Sequence, residues 1–240
     1  MTAVTPIRIK VVNPNTTESM TAMIAVSARA SVAPGTRVDA VNPTTGPESI
    51  ESHYDDALAA AGVLREVEAG EAEGYHGYVI ACFGDPGLLA AREVARGPVV
   101  GIAEASMRTA GYLGRTFSVV TTLARTIGHI ADLTHRYGVA PACGGIHACD
   151  IPVVELEREP LAYKGIRDAA EQALVSDGSD VIVLGCAGMS DLCARLQAEL
   201  DVPVIDGVAA ATAQVEALVR MDLRTSVRGE FAPPPSKLRR

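Results

Sequence analysis

Cys82 and Cys186 each stand at the end of a short apolar run, and each is followed two residues later by glycine. Tyr78-Val-Ile-Ala81 leads to Cys82-Phe-Gly84, and Val181-Ile-Val-Leu184-Gly185 leads to Cys186-Ala-Gly188. A thiolate is a base and a thiol an acid. A pair facing one carbon from opposite sides can therefore take a proton from one face and return one to the other, which inverts the centre. An ordinary thiol with a pKa near 8.5 is only about 3% ionised at neutral pH, so one sulfur must be favoured as thiolate. Helix N-termini immediately after Cys82 and Cys186 would supply that stabilisation. Two adjacent thiolates repel, which favours one thiolate beside one thiol and lets either cysteine act as the base.

Such an inversion passes through an enolate, whose oxygen needs donors set in advance. The peptide N–H groups of Phe83, Gly84, Ala187 and Gly188 lie at the two glycine turns, with the hydroxyls of Thr121 and Thr122 expected nearby. Removing one donor of this kind costs about 3 to 4 kcal/mol of barrier stabilisation. Asn13 is the remaining candidate contact, because it ends the first apolar run as Thr121 ends a later one.

These groups must be positioned by a scaffold, and the chain reads as one built twice. The two cysteines are 104 positions apart, and the prolines that precede the next apolar runs, Pro98 and Pro203, are 105 apart. Strands are expected at Ile7–Val12, Arg37–Val41, the run ending at Cys82, Pro98–Ile102, Phe117–Val120, Gly144–Ala148, the Cys186 run and Pro203–Ile205. Amphipathic helical segments lie between them, from Asn13–Thr17 through Ala33, over Tyr54–Gly70, up to Tyr137, over Pro160–Ser176 and over Ala209–Met221. A buried strand that runs into a small-residue turn and a helix presents its last side chain at the carboxyl edge of a parallel sheet, where α/β proteins bind ligands. The fold class expected is α/β: two similar parallel-sheet domains, Rossmann- or flavodoxin-like, related by pseudo-twofold symmetry, with the site in the cleft between them. Residues 1–102 with 207–240 would form the first, including a returning C-terminal helix, and 103–206 the second. Phe231–Arg240 reads as a loose tail, and the Asn42–Pro47 loop, with Glu48–Ile50 after it, as a segment over the cleft.

The 240 residues carry 21 basic and 29 acidic side chains, 48% apolar residues and only 4% aromatic ones. That mixture suits buried parallel strands covered by helices. The net charge of −8 and the lack of a basic stripe exclude nucleic acid as the expected partner. No apolar stretch reaches the roughly 20 residues of a membrane span. Five scattered cysteines do not make a disulfide framework, so a cytoplasmic setting with reduced thiols is expected. Cys143, His147 and Cys149 match no common zinc spacing, and no metal is expected. No nucleotide-binding glycine motif follows the first strand, and the chemistry above requires no cofactor.

Bland readings compete at each position. Cysteine is among the most buried residue types; Asn13, Thr121 and Thr122 could simply cap helices; His53 reads as a solvated residue at a helix start; Asp85 reads as the cap of its own helix and Cys193 as core. A two-lobed binding protein without turnover would use the same cleft. A thiol redox protein is disfavoured, because neither cysteine sits in a C-x-x-C pair.

The strings Asn13-Pro-Asn-Thr16, Ala81-Cys-Phe-Gly-Asp-Pro-Gly-Leu88, Gly101-Ile-Ala-Glu-Ala105, Val120-Thr-Thr-Leu-Ala-Arg-Thr126 and Gly185-Cys-Ala-Gly-Met189 resemble the hydantoin racemases of the aspartate/glutamate racemase superfamily. The resemblance runs from about Ile7 to Met221. It implies two α/β domains around a cleft and cofactor-independent racemisation at C5 of a 5-substituted hydantoin, with Cys82 and Cys186 as the acid/base pair. Asn13, Phe83, Gly84, Thr121, Thr122, Ala187 and Gly188 carry over as substrate contacts. Allantoin is itself a 5-substituted hydantoin, so allantoin racemases fit the same pattern. Arylmalonate decarboxylases keep a single cysteine, and maleate isomerases use two to a different end. Composition and resemblance together lead us to expect a homo-oligomer.

Overall fold

The apolar run Arg8–Val12 forms β1, and Arg37–Val41 (β2), Gly77–Ile80 (β3) and Val99–Gly101 (β4) join it in parallel in the order β2-β1-β3-β4. The same order returns in the second half. Phe117–Thr121 (β5), Cys143–Ala148 (β6), Val181–Leu184 (β7) and Val204–Ile205 (β8) pair as β6-β5-β7-β8, also in parallel. The structure, a computed structural model, describes residues 6–156 and 160–235. β3, β5 and β7 are buried along their whole length, which is why they read as continuous apolar runs rather than alternating ones.

The pairing register repeats as well as the order. Val12 pairs with Ile80 in the first sheet and Val120 with Leu184 in the second. One peptide further on, the Ala81 N–H donates to Val12 O at 2.8 Å and the Gly185 N–H to Val120 O at 2.7 Å. Cys82 and Cys186 therefore leave their sheets at equivalent points, as do Asn13 and Thr121. The molecule consists of two α/β domains of one topology.

Helices Glu18–Ala30 (α1), His53–Glu73 (α2), Leu88–Val94 (α3), Ile102–Leu113 (α4), Ile127–Arg136 (α5), Leu161–Asp177 (α6), Cys193–Leu200 (α7) and Gly207–Arg220 (α8) cover the sheets. Ser52 starts α2, its hydroxyl accepting the Asp55 N–H at 3.2 Å, and Gly74 ends it at φ 76°, a left-handed conformation that glycine adopts without a Cβ clash. α8 follows the last strand of the second sheet and packs back on β1, β3, β4, α1 and α4. Gly77 lets it approach, since a Cβ there would lie 2.5 Å from Val215 Cγ1.

Two sequence expectations are corrected here. α4 was not anticipated, because it starts directly after β4 with no side-chain cap of its own at Gly101; its capping group comes from a distant turn described below. The expected loose tail is in part docked. A 3₁₀ turn at Gly229–Phe231 packs on α3, the Arg92 guanidinium lies 6.0 Å from the Phe231 ring centre, and the Thr225 hydroxyl donates to Gly97 O at 2.9 Å. Phe231 supplies the apolar anchor that a purely polar tail would lack. Residues 236–240 of that segment lie outside the described residues. Among the described residues, no helix is long and apolar enough to cross a membrane.

Candidate active site

The ends of β3 and β7 open on one cavity of ≈ 190 Å³. Ala81, Cys82, Phe83 and Gly84 line it from one sheet, and Thr121, Thr122, Gly185, Cys186 and Ala187 from the other. All five cysteines are free. Both candidate thiols are only partly exposed, and that exposure is toward the cavity they share.

Each sulfur has one peptide donor, Gly84 N–H at Cys82 and Gly188 N–H at Cys186. These contacts favour the thiolate, but burial works against it and is the larger effect. Desolvation pushes the Cys82 thiol far up, assisted by the neighbouring Cys186, Asp56 and Asp85. It pushes Cys186 up to about 12, assisted by Cys149 and Glu51. The resting pair is therefore two neutral thiols, and ionising one raises the cost of ionising the other. The expected helix N-termini are displaced: α3 begins only at Leu88, and a 3₁₀ turn at Ala187–Leu192 separates Cys186 from α7. Tight turns, each aiming a single N–H at its sulfur, stand where a full helix dipole was anticipated.

Seven of the nine sequence-derived candidates line the cavity, and Asn13 and Gly188 do not. The Asn13 amide is 1% exposed and donates to Asn15 Oδ1 at 2.8 Å and Thr21 Oγ at 3.0 Å. These bonds tie the Asn13 side chain to Asn15, which does line the cavity. Asn15 Oδ1 also accepts the Thr17 N–H at 2.9 Å ahead of α1. Gly188 is buried, with Leu156 2.9 Å and Cys186 Sγ 3.6 Å from where its Cβ would be, so only its peptide faces the site. The Thr121 hydroxyl is engaged with Thr126 Oγ at 2.9 Å.

Ile50, expected over the cleft, does line the cavity, and other lining residues escaped the sequence reading: Glu51, Ser52 and Asp56 around the start of α2, Arg125, Thr126, His129 and Ile130 around the start of α5, and Val153. The available signal was topological. Helices that follow the carboxyl ends of parallel strands aim their first turns at the ligand crevice. His53 is exposed, as expected, yet it lines the cavity, its ring edge-on to His129 with centres 5.3 Å apart. Glu51 Oε1 accepts the Val153 N–H at 2.7 Å and so ties the first half to the second across the cleft. The Asn42–Pro47 loop does not line the cavity. It packs beside α1, with Pro47 O accepting the Thr16 N–H at 3.0 Å and Asn42 Oδ1 the Thr21 hydroxyl at 2.8 Å.

Asp85 is corrected too. It is 3% exposed with φ 48°, and its carboxylate accepts the N–H groups of Ala103 at 3.1 Å and Glu104 at 2.9 Å, capping α4 rather than its own helix. Cys193 packs in the second core, its thiol donating to Val204 O. His147 pairs with Asp177 at 2.7 Å, while the Cys143 and Cys149 thiols donate to Gly145 O and Thr122 O. Among the described residues, no group of three or more His, Cys, Asp or Glu side chains could hold a metal ion.

Comparison with known proteins agrees with this arrangement. A model of the Asp/Glu/hydantoin racemase family matches residues 9–215. A hydantoin racemase of Rhizobium meliloti is 48% identical over 95% of each chain. Among solved structures, the allantoin racemase from Klebsiella pneumoniae superimposes with a TM-score of 0.94 at 51% identity, covering 96% of this chain and 95% of that one. The allantoin racemase from Pseudomonas fluorescens gives 0.93 at 40% identity, covering 96% and 98%. With two identically wound sheets whose matching cysteines share one cavity, this chain belongs to the Asp/Glu/hydantoin racemase family.

Proposed function

We propose that the chain is a cofactor-independent racemase of 5-monosubstituted hydantoins, with Cys82 and Cys186 as the acid/base pair at C5. The observation that carries this reading is the equivalence of the two thiols. Each lies two residues beyond the same register point of its sheet, each has one glycine N–H at its sulfur, and both open on one cavity.

The ring lies between the sulfurs. One thiol of the resting pair first gives its proton to solvent; the thiolate so formed removes the C5 proton, the electron pair moves into the adjacent carbonyl, and the facing thiol delivers its proton to the opposite face. The pair ends with its protonation exchanged, ready for the reverse reaction. High thiol pKa values suit this role: a buried thiolate is a strong base, and the opposing thiol holds its proton until the carbanion is within reach. The peptide N–H groups of Phe83 and Ala187 and the hydroxyl of Thr122 are the donors assigned to the enolate oxygen. Gly84 and Gly188 serve the sulfurs instead. Arg125 at the cavity adds positive charge near the enolate.

An allantoin racemase would use the same chemistry, and the two solved allantoin racemases at 51% and 40% identity support that variant as the hydantoin racemase at 48% supports the broader one. The reading also includes a division of the chain at 102/103 and 206/207, a homo-oligomer, and a cytoplasmic setting, which suits five unpaired cysteines. The test is incubation of single enantiomers of allantoin, 5-isopropylhydantoin and 5-benzylhydantoin in D2O with reductant. Loss of optical rotation with deuterium entering C5 is expected. Unchanged rotation and no exchange in all three would leave a binding protein as the better reading.

A further inference from the structure

Asp56, in the first turn of α2, lines the cavity, and its Oδ1 is buried with no hydrogen-bond partner. Desolvation pushes this carboxyl up, while His129, His53 and Arg136 hold it down. A Cβ at Gly84 would lie 2.8 Å from Oδ1 and 3.3 Å from His129 Nε2, so only glycine leaves the space between the carboxylate and the Cys82 turn open. His129 Nε2 in turn stands 3.4 Å from Gly84 O. One wall of the cavity thus presents a buried acceptor between imidazoles, and the proton transfer at C5 uses none of it.

A buried acceptor without a partner is unfavourable unless a ligand supplies the donor. In the racemase reading the sulfurs flank C5 and the enolate oxygen takes the strand-end turns, which leaves the wall that includes α2 and α5 for the C5 substituent. A hydrocarbon substituent placed there would leave Oδ1 without a donor. A ureido group brings N–H donors for Oδ1 and a carbonyl oxygen for the Arg125 guanidinium, which also lines the cavity.

Building on the racemase reading, we infer that Asp56 is the specificity-determining residue for the C5 substituent, its Oδ1 accepting an N–H from a donor-bearing group of the ureido type. Sites built around such a hydrogen bond reject analogues that lack it far more strongly than apolar pockets discriminate by size.

The test compares kcat/KM for allantoin and 5-isopropylhydantoin in the wild type, Asp56→Asn and Asp56→Leu. The wild type should favour allantoin. Asp56→Leu should lower the allantoin-to-isopropyl ratio by about 100-fold or more, with the isopropyl substrate gaining, and Asp56→Asn should fall between. A folding defect lowers both substrates together and leaves the ratio alone, and melting curves identify it directly. An unchanged ratio in variants that melt like the wild type, an equal loss on both substrates included, would overturn the assignment. A wild-type chain inert on these two and on 5-benzylhydantoin would overturn the racemase reading itself, whereas one active on 5-benzylhydantoin alone would overturn this assignment only.

Discussion

The Tyr137 hydroxyl donates to Asp85 Oδ2 at 2.6 Å, joining the end of α5 to the turn that carries Cys82. The same carboxylate caps α4, and the Asp85 N–H donates to Cys82 O at 3.0 Å. One buried acid therefore fixes the first thiol's turn, the helix between the two sheets, and a helix of the second domain. Replacing Tyr137 with Phe should cost about 1–3 kcal/mol of stability, because it leaves the buried carboxylate one donor short. Urea unfolding measures it, and a loss below about 0.5 kcal/mol would show that the contact is not structural.

Gly101→Ala should disturb the same group from the other side. A Cβ there would lie 2.2 Å from the Asp85 carboxyl, a contact that neither the buried acid nor the strand can relieve cheaply. Overpacking of this kind costs about 1–3 kcal/mol. The variant should melt lower and lose more activity than the surface control Gly111→Ala, where a Cβ meets open space.

Burial raises the Asp85 carboxyl from 3.8 to about 7, against the lowering effect of Tyr137 and the peptides of Glu104 and Ala103. Between those values the folded chain keeps a proton that the unfolded chain has released. Stability should thus fall as the pH rises through this window, by at most about 1.4 kcal/mol per pH unit for this group. Asp56, also raised, acts in the same direction. Denaturation from pH 4.5 to 7.5 should show the decline, and Asp85→Asn should flatten it even though that variant is less stable overall.

Both candidate thiols are raised by burial, Cys186 to about 12. Iodoacetamide at pH 7.5 should accordingly label Cys82 and Cys186 more slowly than a free thiol, and the rate should still be climbing above pH 9. Peptide mapping separates them from Cys143, Cys149 and Cys193. A plateau near pH 7 for either would contradict the neutral resting pair.

Glu51→Ala removes the acceptor for the Val153 N–H and with it a tie across the cleft. KM should rise about 10-fold, equivalent to about 1.4 kcal/mol. Glu51→Gln, which keeps a carbonyl oxygen in place, should recover most of the loss. Equal KM values for the wild type and both variants would show the tie to be incidental.

Much of this architecture was legible because strand ends are local. Continuous apolar runs stopped by Cys-x-Gly placed both thiols and their turns, and the offset of 104 between Cys82 and Cys186 revealed the duplication. What stayed hidden depends on partners far apart in the chain. α4 takes its cap from Asp85, 18 residues upstream of Ala103, so its start carries no local signal. Asp56 and His129 look like ordinary polar residues at helix starts until the two domains close around them. Asn13 matches Thr121 in register, but its amide is bound to Asn15 and Thr21 and does not line the cavity.

The central claim is that one thiol serves each face of C5, and it is tested most directly by preparing Cys82→Ser and Cys186→Ser separately. Each variant is mixed with each enantiomer of the best substrate in D2O, and rotation and C5 deuterium are followed together. Each variant should lose racemisation and retain exchange with only one enantiomer, the preferred enantiomer being opposite in the two. Normal racemisation by both variants would contradict the two-base assignment.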